Sequence, residues 1–175
     1  MMTNLMNSTM RYGLVLGLLF SLNFLLSVTG NPMLGMLTYL ITGLILYLTY
    51  RYSVHYREKE CGGTISFGHT FGFVLLLYLF ASIISAFVKY FYLKFISGSF
   101  LETLYNQYIG MMEQILPSIP DEMYEGMEII TSAQGYTMLT TWSNILISIF
   151  VGIIIAAIVR RNKSPFDDSS NSSNL

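Results

Sequence analysis

Four long apolar runs, Tyr12–Val28, Met33–Tyr50, Phe71–Leu93 and Met138–Val159, alternate with short polar or aromatic–basic punctuation. Each run has roughly the 20 residues that an α-helix needs to cross about 30 Å of hydrocarbon. Inside lipid a helix satisfies its own backbone hydrogen bonds, so the pattern predicts an all-α polytopic membrane protein with four transmembrane helices. Thr29-Gly30-Asn31-Pro32 is a turn cluster, which makes the first two spans a tight helical hairpin. A polar connector, Ser53 to Ser66, leads into the third span, and a long excursion, Ser97–Thr137, separates the third span from the last.

The excursion carries its own periodicity. Leu101, Leu104, Tyr105, Tyr108, Met112 and Ile115 recur at helical steps, with Glu102, Asn106, Glu113 and Gln114 elsewhere around the cylinder. Pro117 and Pro120 are expected to end this amphipathic helix, and Asp121 to cap a second short one bearing Met123, Met127 and Ile130. The extramembrane helices thus cover about residues 100–134, and Gly135 leads into the last span. One membrane domain, 1–163, is expected, followed by a Ser/Asn-rich tail, 164–175, of disordered composition.

Charge then orients the threading. Arg11, Arg51, Arg57, Lys59, Arg160, Arg161 and Lys163, seven of the nine Lys and Arg, fall on the side of the two termini. Lys and Arg mark the cytoplasmic face, so both termini are expected in the cytoplasm. Lys89 and Lys94 fall opposite, at the end of the third span, where long side chains are expected to snorkel toward the interface. Tyr47, Tyr50, Tyr52 and Tyr56 beside Arg51 and Arg57, and Phe87, Tyr90 and Tyr92 beside the two lysines, read as interfacial belts. The excursion is acidic: it carries Glu102, Glu113, Asp121, Glu122, Glu125 and Glu128, with no Lys or Arg between Ser97 and Thr137. The single Arg11 before an apolar run resembles a leader, but Ser27-Val28-Thr29-Gly30 lacks a good cleavage site, so the first run is expected to be retained as a span.

Small residues recur where helices can approach closely: Gly13, Gly17 and Ser21 in the first span, Ser148, Gly152 and Ala156 in the fourth, and Ala81/Ser85 and Ser82/Ala86 in the third. Packing within the chain is the main expectation; a homo-oligomer through the same faces is the alternative. Asn23, Thr42 and Asn144 are expected to turn away from lipid and pair within the bundle.

The connector Tyr56–Phe71 is the densest polar constellation. Gly62-Gly63 permits a sharp turn, and Thr64 or Ser66 is placed to cap the next helix. His55, Glu58, Glu60, Cys61 and His69 match no standard zinc spacing, and Cys61 has no base-and-orienter pair. No metal, cofactor or catalytic residue is assigned. The run Arg57-x-x-Glu60-x-Gly62-Gly63-x-Ile65-Ser66-Phe67-Gly68-x-x-Phe71 resembles the signature of the bacterial domain of unknown function 4199 family. The similarity covers roughly Arg11–Lys163. Cys61 stands where a larger apolar residue is expected, and His69-Thr70 where a basic residue and an alanine are commoner. The resemblance implies a four-helix protein of the bacterial cytoplasmic membrane and implies no activity. Arg57, Glu60, Gly62, Gly63, Ser66, Phe67 and Gly68 are the candidate interaction or structural motif.

Two histidines and one cysteine, with no H-E-x-x-H or G-x-S-x-G, argue against an enzyme. The favoured class is a non-enzymatic structural or accessory component of a membrane complex. The alternative is a small transporter or channel subunit with an acidic external vestibule. The bilayer is the expected environment, a protein partner or second copy the expected contact, and nucleic acid is not expected.

Overall fold

The computed structural model describes residues 2–116 and 118–161, with side chains from Leu5 onward. Pro117 and the tail 164–175, expected to be disordered, lie outside the described residues. Six helices follow in order: α1 Met2–Val28, α2 Pro32–Glu60, α3 Phe67–Phe95, α4 Gly98–Ile115, α5 Asp121–Thr131 and α6 Ala133–Val159. Among them α1, α2, α3 and α6 are long and apolar enough to cross a membrane. Their outward faces carry Leu14, Leu18, Trp142, Phe150 and Ile154 exposed, the arrangement that lipid stabilises and water opposes.

The α1–α2 hairpin turns at Gly30, whose φ of +65° lies in the left-handed region. Asn31 then caps α2, its side-chain oxygen accepting the Met33 N–H at 2.9 Å, with Pro32 in the first turn. α3 is the central element, packed between α1 and α6. Close approach depends on the small residues. A Cβ added at Gly13 would lie 2.8 Å from Phe80 Cβ, and one at Gly17 would lie 2.8 Å from Ile84 Cβ and 3.0 Å from the Ala81 carbonyl. On the other side Gly152 admits the Phe71 ring. The small residues of α1 and α6 are therefore packed against α3 within one chain.

The end bearing the α2–α3 connector is tightly filled by Leu16, Tyr56, Phe73, Leu77 and Val159. At the opposite end, where the α1–α2 hairpin turns, the packing is asymmetric. The buried residues of α2, Ile45, Thr49, Ser53 and Tyr56, run from its middle to its connector end, and none lies between Pro32 and Leu44. The hairpin half of α2 is thus less covered by the bundle than the rest of it, and the cavity described below lies beside it.

The extramembrane helices begin and end close to expectation. α4 stops at Ile115, and α5 starts at Asp121 without a side-chain cap, so Asp121 and Glu122 occupy its first turn rather than its cap. Both carboxylates still face the positive end of that helix dipole. Ser132 ends α5 and caps α6, its hydroxyl accepting the Gly135 N–H at 3.0 Å. α4 buries no residue and α5 buries only Thr131.

Candidate functional site

The connector binds three helix ends together. Gly62 and Gly63, at φ +64° and +84°, turn the chain back so that the Gly63 N–H donates to the Arg57 carbonyl at 2.9 Å. Ile65 and Arg161 exchange both backbone hydrogen bonds at 3.0 Å, which ties the connector to the end of α6. Ser66 caps α3, its hydroxyl accepting the His69 N–H at 3.3 Å. Arg57 reaches across: its Nη1 donates to the Val159 carbonyl at 2.9 Å, and its Nε and Nη2 hold Glu58. A cation there also meets the negative end of the α6 dipole. Tyr56 is 1% exposed, stacks on Phe73 at 4.5 Å, and its hydroxyl lies 3.1 Å from His69 Nε2.

Of the candidate motif, Arg57, Gly62, Gly63 and Ser66 therefore converge on this junction. Glu60 is exposed as the last residue of α2, Phe67 stacks on Phe71 at the surface, and Gly68 faces open space. Tyr52 and Tyr56, expected in the interfacial belt, turn inward instead, because ring stacking on Tyr12 and Phe73 fills the gap between α1, α2 and α3. Burial pushes the Cys61 thiol above its ordinary value, so at neutral pH it is a weaker nucleophile than a free thiol. Among the described residues no three His, Cys, Asp or Glu side chains gather closely enough to hold a metal ion.

A second constellation lies in the hairpin half. A cavity of about 470 Å³ opens there between α1, α2, α3 and α6. Its polar lining includes Asn23, Thr42, Tyr78, Lys89, Tyr136 and Asn144. Asn23 Nδ2 donates to Thr42 Oγ1 at 3.1 Å, and Thr42 passes its own proton to the Thr38 carbonyl at 2.8 Å. Of the residues expected to turn away from lipid, Asn23 and Asn144 are half-buried and Thr42 is exposed; all three line this space, and only Asn23 and Thr42 pair across helices. Phe24 meets Tyr92 and Tyr136 in an aromatic cluster beside it, and Phe100 of α4 packs edge-on to Tyr136.

Lys89 corrects the sequence reading. It is 7% exposed and does not snorkel to the interface; its Nζ sits 5.7 Å above the Phe24 ring. Lys94 does behave as expected, exposed and donating to the Tyr90 hydroxyl at 3.1 Å. Lys89 continues the Ala81–Ser85 stripe by one further step of four, which puts it on the inward face of α3.

Comparison with known proteins adds the family. The model described as "Protein of unknown function (DUF4199)" matches residues 11–161, a stretch that holds the connector and nearly all of the four long helices. The chain belongs to the DUF4199 family. No curated protein and no solved structure matches it. For this DUF4199 protein, then, chemistry has to be argued from its own residues. The connector reads as a structural joint, since its polar groups are consumed by helix ends. The hairpin-half cavity was missed as a unit. Its signal was Lys89 lying on the face of the small residues, together with polar residues at matching depth on α1, α2 and α6.

Proposed function

We propose that this protein is a non-catalytic accessory component of a membrane complex, seated in the cytoplasmic membrane of a bacterium with both termini in the cytoplasm. The observation that carries the reading is the α4–α5 pair. It stands apart from the bundle core, leaves Met111, Ile115, Met123 and Ile129 exposed, and presents Glu113, Glu122, Glu125 and Glu128 with no basic residue between Ser97 and Thr137. Such a surface suits a partner protein whose own extramembrane face is basic. The excess of Lys and Arg at the connector end supports the orientation.

Photo-crosslinking in intact cells from a probe placed at Ile115 tests this. One discrete adduct is expected, weakened when Glu113, Glu122, Glu125 and Glu128 are together changed to Gln. Crosslinking to lipid alone, or an adduct indifferent to those charges, contradicts it.

The transporter alternative draws support from the polar cavity. Tyr56, Phe73, Leu16 and Leu77 fill the connector half beneath it, which favours holding a ligand over conducting one. Solute flux from vesicles containing the purified protein, lost when the external carboxylates are neutralised, would support transport instead.

A further inference from the structure

Lys89 sets an energetic problem. Lys89 is 7% exposed in the spanning part of α3 and lines the cavity, and among the described residues no carboxylate comes within ion-pairing distance of its ammonium. A charge without a counter-ion in such a place is costly, and the cation–π contact with Phe24 offsets only part of that cost. The groups around the charge are of matching character. Asn23 and Asn144 supply amide donors, Tyr78 and Tyr136 supply hydroxyls, and no lining residue is acidic. The space, about 470 Å³, lies within the ~300–1,000 Å³ usual for small-ligand sites.

The mouth identifies where a ligand comes from. Tyr39 and Leu46 of α2 and Ile147 of α6 line the cavity and are themselves exposed on the outward, apolar surface. The opening therefore faces the hydrocarbon between α2 and α6. From Ser27 near the end of α1 to Phe20 the lining runs about 10 Å along the helix, from headgroup depth toward the middle of the bilayer.

We propose that this cavity binds the phosphate of an anionic membrane lipid, with Lys89 as its counter-charge, Asn23, Asn144 and the tyrosine hydroxyls as donors, and the acyl chains lying in the α2–α6 opening. A net-anionic head is preferred to a zwitterionic one, because one cation lines the cavity and no carboxylate is present to receive a headgroup ammonium. The inference is independent of whether the protein serves a complex.

The test uses the full chain in a non-ionic detergent, titrated separately with dioctanoyl phosphatidylglycerol, dioctanoyl phosphatidylcholine and inorganic phosphate while the unfolding temperature is followed. Phosphatidylglycerol is expected to raise that temperature, phosphatidylcholine to do so at concentrations about tenfold higher or not at all, and phosphate to do nothing. In Lys89→Met the phosphatidylglycerol response is expected to weaken about tenfold or more, as loss of a charged hydrogen bond implies. Lys89→Arg and Lys94→Met are expected to keep it. Lys89→Met removes an uncompensated charge, so without lipid it should unfold no earlier than the parent, which separates lost binding from lost folding. An undiminished response in Lys89→Met, or no response in the parent, overturns the proposal. A shift with phosphate alone equal to that with the lipid overturns the assignment to lipid.

Discussion

At the residue scale the molecule depends on places where one atom too many has nowhere to go. Gly17 is the clearest: a side chain there meets both Ile84 and the Ala81 carbonyl, so α1 cannot hold its distance from α3. Gly17→Leu is expected to destabilise the protein by about 1–3 kcal/mol, read as a lower unfolding temperature in detergent. Gly43→Leu, into open space on α2, is the control and should change little. That close approach was legible from the sequence, because small residues every fourth position express backbone contact directly. The direction of Lys89 was less so. Lys89 lies on the stripe of Ala81 and Ser85, but a lysine near the end of a span snorkels unless the bundle leaves room inside, and that room is made by α1, α2 and α6 together with α3. Cys61 offers a second residue-scale check. Because burial raises its thiol above the usual value, and thiolate is the reactive form, maleimide labelling should be slow at neutral pH and accelerate as the pH rises. Fast labelling at neutral pH would show a thiol more exposed than described.

At the scale of elements, the connector decides how three helices end. Arg57→Ala removes the donor to the Val159 carbonyl and frees Glu58, and should cost about 1–3 kcal/mol. Ser66→Ala removes the α3 cap and should cost about 1 kcal/mol. Hydrogen exchange is the measurement that distinguishes them. Arg57→Ala should loosen the last turn of α6 as well as α2, whereas Ser66→Ala should loosen only the first turn of α3. Exchange confined to α2 in both variants would mean that the junction does not couple the helices. The turn glycines and the capping serine could be read in advance, since each follows from local backbone demands. The partner of Arg57 could not, because it lies on a helix end about a hundred residues away in sequence. The inward turn of Tyr52 and Tyr56 escaped for the same reason: a tyrosine beside arginines looks interfacial until Tyr12 and Phe73 are known to face it.

At the scale of the whole molecule, one arrangement organises the rest. Four apolar helices cross, the Ile65–Arg161 bridge gathers the connector and the end of α6 at one face, and the acidic α4–α5 pair stands at the other. The element order and helix classes were legible because lipid imposes long apolar runs and charge marks their limits. The cavity emerges only when four helices are assembled. The most direct measurement of the threading labels two thiols with a membrane-impermeant maleimide at alkaline pH, one per construction: native Cys61, and Glu113→Cys in a Cys61→Ser background. Cys61 should react in inverted membrane vesicles and stay protected in intact spheroplasts, and Glu113→Cys should show the reverse. Labelling of both positions from the same side of the membrane would contradict the account.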